Sequence, residues 1–177
     1  MENSLIPLII NKIKDPDGLE RYRAVSSFEE VVRKPSLSKE LMEVQDAYAR
    51  LVENCRVQLK TLKSNRKNQG DSWLRWDLAK AIIDFIDIVE QRGYHFSNSS
   101  KALARDLEIS TRRINYLIEF ARTFPEKSRV YREISWDKYV EILDIKNRLI
   151  QKKIIQKILS GELKTREDIR EFKKHLI

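Results

Sequence analysis

Residues 100–124, SKALARDLEISTRRINYLIEFARTF, contain two short helical patterns on either side of a break, and this spacing constrains the fold more than any other part of the chain. Apolar residues recur at three- and four-residue spacing in two groups: Leu103, Ala104 and Leu107, then Ile114, Leu117, Ile118 and Ala121. Glu108-Ile109 separates the groups, and Ser110 is a favourable N-cap for the second helix. The stretch therefore predicts a helix-turn-helix.

The positions left outside the apolar pattern are polar or cationic, as a helix entering a DNA major groove requires. The candidates for reading base edges are Thr111, Arg112, Arg113, Asn115 and Tyr116. The candidates for binding phosphates, at helix starts or on a later basic helix, are Ser99, Ser100, Lys101, Ser110, Lys152, Lys153 and Lys157. The alternative is a plain helical hairpin with a solvated, charged face.

The rest of the chain also reads as helical. It has only 4 Gly and 4 Pro in 177 residues and no sustained alternation of apolar and polar residues, so we expect an all-α fold. The predicted helices are 3–14, 19–33, 38–63, 72–92, the two helices of 100–124, one after Ser135, 146–159 and one opened by Thr165. The polar stretch 64–71 predicts a linker between a helical N-terminal region, 1–67, and a multi-helix domain with the helix-turn-helix, 72–177.

The predicted helix 38–63 carries a heptad-like seam. Its apolar positions are separated by alternating gaps of three and four, with Gln58 filling one step: Leu41, Val44, Tyr48, Leu51, Cys55 and Leu62. Either the seam packs against helices of the same chain, or it is the dimerisation surface of a homodimer. The sequence leaves both alternatives open.

The charge balance favours a polyanionic partner. There are 35 Lys and Arg against 27 Asp and Glu, a formal net charge of +8. Residues 99–132 hold eight basic and four acidic groups, whereas the preceding stretch, 68–98, is acidic. A positive field of this kind attracts nucleic acid, although it does not determine the fold.

Composition also indicates the compartment. A single cysteine excludes an intramolecular disulfide, there is no run of apolar residues that would span a membrane, and the N-terminus does not resemble a signal peptide. We therefore expect a cytoplasmic, nucleoid-associated protein.

The sequence offers no catalytic or cofactor site. His95 and His175 lie far apart, Cys55 belongs to the seam, and there is no glycine-rich phosphate loop. We expect a non-enzyme without metal or cofactor.

Residues 97–172 resemble the central helix-turn-helix domain of ParB-family partition proteins. The matching residues are Ala104, Leu107, Ser110, Ile114, Ile134, Ser135, Leu143, Ile145, Leu163, Thr165, Arg166 and Glu167. The resemblance implies binding to double-stranded DNA, in plasmid or chromosome partition or in transcriptional regulation. Glu108 departs from the glycine common at such turns, and the nucleotide-binding part of ParB has no counterpart, so clamp formation is not implied.

The stretch from Trp73 through RGYHFS, LIEFARTFP and ISWDKYVEIL is also similar to the helical domain that precedes YhcG-type nucleases. That resemblance implies a DNA-binding subunit that regulates a separate nuclease. A further alternative is a helical adaptor whose basic helices meet an acidic protein partner.

Overall fold

The protein combines one small sheet with a series of helices. A computed structural model describes residues 5–26, 35–64 and 71–175, and only the backbone of 35–38. The strands are β1 (Ile6–Lys14), β2 (Glu20–Val25) and β3 (Tyr94–Phe96). The helices are α1 (Pro35–Ser64), α2 (Asp71–Gln91), α3 (Ser99–Leu107), α4 (Thr111–Thr123), α5 (Trp136–Leu143), α6 (Arg148–Leu159) and α7 (Arg166–Lys174), with a 3₁₀ turn at Lys127–Arg129.

The expectation of an all-α fold is wrong, because the strands form a three-stranded mixed sheet in the order β2-β1-β3. β1 pairs antiparallel with β2 and parallel with β3, with Ile10 opposite Ala24 and Pro7 opposite His95. The Ile6 N–H donates to the Gly93 carbonyl on the β3 side, so the nitrogen of Pro7 faces the opposite side, where the described pairing with β2 begins at Ile9.

The predicted helix 3–14 is a strand over the residues that the structure describes. Leu8 and Ile10 are buried on its inner face, whereas Ile9 and Ile13 on its outer face are 50% and 40% exposed. Because both faces carry apolar residues, the strand loses the alternation that marks a half-buried strand and imitates helical spacing.

Two further local predictions differ from the structure. The predicted helix 19–33 is β2 over Glu20–Val25, and residues 27–33 lie outside the described part of the chain. The predicted loop after Gly93 contains β3, which is only three residues long and therefore leaves little periodic signal.

The long helix predicted over 38–63 is confirmed as α1, and its seam is buried within a single chain. Leu41, Val44, Tyr48, Leu51, Cys55 and Leu62 are each at most 7% exposed. The seam therefore has intramolecular partners here, and burial raises the pKa of the Cys55 thiol to about 12. Homodimerisation stays a prediction, and a dimer would have to use another surface.

The chain divides into two compact units. The first comprises Met1–Leu59 and Ala81–Asn115, and the second Lys60–Lys80 and Tyr116–Ile177. The division falls inside α1, α2 and α4, so each of these helices contributes residues to both units. Residues 65–70 of the predicted linker lie outside the described residues.

The core of the first unit is an aromatic cluster between the sheet and two helices. The Tyr48 ring lies 5.0 Å from that of Tyr22, 5.5 Å from that of Phe85 and 5.7 Å from that of Phe96, in edge-on or tilted contacts. Contacts of this kind add roughly 0.5–1.5 kcal/mol each beyond burial. They fix α1 and α2 against the inner face of the sheet.

The second unit has its own aromatic core and a cluster of ion pairs between α5 and α7. The Phe120 ring packs edge-on against Trp136, at 5.1 Å between centroids, and tilted against Tyr139, at 5.0 Å. Glu141 of α5 accepts hydrogen bonds from Arg166 and Arg170 of α7, the shortest at 2.6 and 2.7 Å. Arg170 first, and then Arg166, lower the pKa of this carboxyl against the opposing effect of burial.

Several predicted helix ends are confirmed, and others are shifted. Ser160-Gly161 ends α6, and Thr165 opens α7 with the predicted capping box. However, α6 begins at Arg148, because the Asn147 side chain accepts hydrogen bonds from two backbone N–H groups. Ser72 lies inside α2 and its hydroxyl donates to the Tyr131 carbonyl, and α1 starts at Pro35, ahead of both Ser36 and Ser38.

Candidate nucleic-acid interface

Helices α3 and α4 form where the sequence predicts them, joined by the three residues 108–110. Glu108 adopts the left-handed conformation, with φ 55° and ψ 40°, and its N–H bonds to the Ala104 carbonyl. Ile109 donates to the same carbonyl at 3.1 Å. The chain thus makes the tight turn that glycine usually provides, at a cost of about 1 kcal/mol for a residue with a Cβ.

Ser110 starts α4 as the sequence predicts. Its carbonyl accepts from the N–H groups of Arg113 and Ile114, and its hydroxyl oxygen accepts from the Arg113 N–H at 3.3 Å. The cap satisfies part of the helix N-terminus, and the Ser110 hydroxyl proton stays available to donate to an anion.

The two faces of α4 have opposite character. The apolar face is buried, with Ile114 and Phe120 fully inaccessible. The proposed base-reading residues Thr111, Arg112, Arg113 and Asn115 are exposed on its first turns, and Tyr116 is half-buried. Reading base edges requires exposed side chains on the first turns of a recognition helix, and this role stays a prediction for these residues.

The predicted phosphate-binding residues belong to two different parts of the chain. Ser99, Ser100 and Lys101 lie in the first turn of α3, in the first unit, with the two serines half-buried and Lys101 exposed. Lys152, Lys153 and Lys157 lie on α6, in the second unit. Lys152 and Lys153 are exposed, whereas Lys157 is ion-paired with Glu162 and lies 5.4 Å from the centre of the Phe172 ring.

A buried polar network, which the sequence pattern does not predict, holds α3 in place. Asp106 is fully inaccessible and accepts from the Tyr48 hydroxyl at 2.7 Å and from Arg105 at 2.6 and 2.8 Å. Arg105 also donates to the Ile10 carbonyl of β1, and Arg56 of α1 donates to the Asp106 carbonyl. The helix that precedes the turn is therefore bonded to both α1 and β1.

The network has a clear electrostatic consequence. Burial first, and then the hydrogen bond to Asp106, raise the pKa of the Tyr48 hydroxyl, so that it stays a donor. The hydrogen bond to Asp106 likewise raises the pKa of Arg105. The one available signal in the sequence was Tyr48 itself, since a tyrosine at a buried seam position needs a partner for its hydroxyl.

Two kinds of site are missing from the described parts of the chain. No group of three or more His, Cys, Asp or Glu residues there is arranged to hold a metal ion. None of the described helices combines the length and apolar character needed to cross a bilayer. No known protein family, curated protein or solved structure matches the chain.

Proposed function

We propose that this protein binds double-stranded DNA, with α4 in the major groove, and that it acts in partition or transcriptional regulation as its likeness to the ParB helix-turn-helix domain implies. The observation that carries the proposal is the exposed polar and cationic set on the first turns of α4, directly after a three-residue turn. Nucleoid association follows from the same proposal.

Arg112 and Arg113 are the principal candidates for reading bases. A bidentate arginine–guanine contact contributes about 1–3 kcal/mol of discrimination. Thr111, Asn115 and Tyr116 extend the same surface along the helix. Ser99, Ser100 and Lys101 at the start of α3, and Ser110 at the start of α4, are proposed to bind phosphates with their side chains and the adjoining backbone N–H groups.

Lys152, Lys153 and Lys157 are proposed as further phosphate contacts, in which case Lys157 has to give up its ion pair with Glu162. The exposed pair Lys152 and Lys153 contributes without that exchange. A homodimer reading two half-sites is part of the proposal, because a single helix-turn-helix makes a small interface.

Fluorescence anisotropy with a labelled random duplex tests the electrostatic part of the proposal. The logarithm of the association constant should fall linearly with the logarithm of salt concentration, by about 0.9 for each phosphate neutralised. The double variant Arg112→Ala with Arg113→Ala should bind more weakly than wild type. Arg50→Ala with Lys60→Ala removes the same charge from exposed positions on α1 and should bind like wild type.

Two results would reject the proposal. One is the absence of salt-dependent binding to the duplex. The other is an equal loss of affinity in the two double variants, since that would reduce the role of α4 to a contribution to net charge and favour the adaptor alternative.

A further inference from the structure

The outer edge of β2 faces α1 across an open groove within the first unit. The groove has a volume of about 360 Å³ and is lined by Glu20, Arg21 and Tyr22 of β2. Its lining on α1 consists of Gln45, Asp46, Ala49, Val52, Glu53 and Arg56. Among the described residues, β2 pairs with β1 on its other side and with no strand at this edge. The groove therefore combines a strand edge with a helix.

The hydrogen bonds show which way the edge residues of β2 direct their backbone groups. The Ala24 N–H bonds to the Gln45 side chain of α1, so residue 24 directs its N–H away from β1. In an antiparallel ladder the direction of the backbone N–H alternates from one residue to the next, so the N–H groups of Tyr22 and Glu20 also point away from β1. The side chain of Gln45 thus binds one end of the outer edge of β2. The N–H and C=O groups of Tyr22 and Glu20 form the rest of this edge.

Some charged side chains of the groove already have an ion-pair or hydrogen-bond partner within the chain. Arg21 is ion-paired with Asp15 at 2.8 Å, and Glu20 is bound by Lys12 at 2.7 Å. The Arg56 Nε donates to the Asp106 carbonyl, and its guanidinium lies 3.7 Å from Glu20.

The exposed carboxylates of Asp46 and Glu53 have no ion-pair partner among the described residues. They lie seven residues apart on α1, which places them on the same side of the helix about 10 Å apart. Ala49 lies between them and its small side chain leaves the groove open.

We propose that this groove binds an extended basic segment of a partner protein, which adds to the outer edge of β2 as a fourth strand. The backbone of the segment pairs with Tyr22 and Glu20, and its Lys or Arg side chains pair with Asp46 and Glu53. Strand addition of this kind draws affinity from main-chain hydrogen bonds and specificity from alternate side chains. The groove is lined by none of the residues that we propose to read DNA bases.

Nuclear magnetic resonance on the ¹⁵N-labelled full chain tests the proposal with a pool of acetylated Lys-x-Lys-x-Lys peptides, where x is Val, Ile, Leu or Thr. We expect the Tyr22 amide to shift and its hydrogen exchange to slow as peptide is added. Two control sets carry backbone N-methyl groups, one at the x residues and the other at the Lys residues. Because neighbouring residues of an extended peptide direct their N–H groups to opposite edges, each set lacks the donors of one edge. One set should lose binding.

Variants of α1 separate the groove from general electrostatics. Asp46→Asn with Glu53→Gln should weaken binding about two- to fivefold per carboxylate, as expected for exposed ion pairs. Ala49→Leu should abolish binding by filling the groove while keeping a good helix former. Asp87→Asn with Glu90→Gln removes the same charge from exposed positions on α2 and should leave binding unchanged.

The proposal is overturned if the Tyr22 amide does not respond to millimolar peptide, or if both N-methylated sets bind like the parent pool. It is also overturned if a Glu-x-Glu-x-Glu pool binds as well as the basic one. An equal loss of peptide affinity in the α1 and α2 charge variants would also overturn it, since binding would then depend only on net charge.

Discussion

Replacing Asp106 with alanine is predicted to destabilise the first unit by about 3 kcal/mol. The change leaves the Tyr48 hydroxyl buried without its acceptor, which costs about 1–3 kcal/mol. The two hydrogen bonds from Arg105 are lost as well, but the Arg105 side chain is 44% exposed and water replaces them at about 0–1 kcal/mol. Tyr48→Phe should cost about 1 kcal/mol, because Asp106 keeps its bonds to Arg105.

Urea unfolding followed by far-ultraviolet circular dichroism measures these free energies. In a double-mutant cycle, the cost of Asp106→Ala with Tyr48→Phe should be less than the sum of the single costs by about 1–3 kcal/mol, because the double variant no longer buries a hydroxyl without an acceptor. Single costs that add within about 0.3 kcal/mol would show that the bond contributes nothing, and the role assigned to the network in holding α3 would be refuted.

Three smaller predictions concern the turn before α4, the N-cap of α7 and the ion pairs of Glu141. Glu108→Gly should raise the free energy of unfolding by about 0.5–1 kcal/mol, since glycine adopts the left-handed turn without strain. Thr165→Ala should lower it by about 1 kcal/mol by removing one half of the capping box of α7. Because Arg170 and Arg166 lower the pKa of Glu141 in the folded state, its stabilising contribution is complete above its ordinary pKa of 4.5 and is lost as the pH falls through the lower folded value. Unfolding of wild type and Glu141→Gln across pH 6 to 3 should therefore show a shallower acid-side loss of stability in the variant.

Each of these predictions has a result that contradicts it. Equal stabilisation by Glu108→Ala would remove the argument from backbone conformation, since alanine also has a Cβ. An unchanged stability in Thr165→Ala would mean that the capping box contributes nothing measurable. Parallel pH profiles for wild type and Glu141→Gln would place the acid sensitivity in other carboxyl groups.

The sequence predicts the helices well where one face is buried and the other is charged. In α4, the buried residues Ile114, Leu117, Ile118 and Ala121 recur at three- and four-residue spacing, and the polar Asn115 and Glu119 fall between them, which is the period of an amphipathic helix. Thr165 and Gly161 mark helix boundaries by local hydrogen bonding and backbone conformation, which do not depend on the rest of the fold. These signals are contained in short windows and so survive without tertiary information.

The sheet could not be predicted because its evidence is distributed along the chain. β1 carries exposed Ile9 and Ile13 beside buried Leu8 and Ile10, which hides the period of two. β3 has three residues and exists as a strand only because it pairs with β1, about ninety positions earlier. Sequence windows of ten or fifteen residues do not contain such a pairing.

The candidate interface was predicted in part. The exposed residues of α4 follow from the helical period, whereas the network around Asp106 joins residues from α1, α3 and β1. A charged residue beside an apolar stripe looks solvated in the sequence, and only the fold shows that Asp106 is inaccessible. The same holds for the seam of α1, whose burial within one chain required the sheet to be known.

The affinity ratio between a selected duplex and a random duplex tests the central proposal most directly. Selection from a random library, followed by anisotropy at a fixed salt concentration, should give a wild-type ratio of about 10³ or more. Arg112→Ala with Arg113→Ala should reduce the ratio by about tenfold or more, at 1–3 kcal/mol for each arginine that reads a base. A wild-type ratio near one, or an unchanged ratio in the double variant, would contradict the assignment of α4 as the helix that reads DNA.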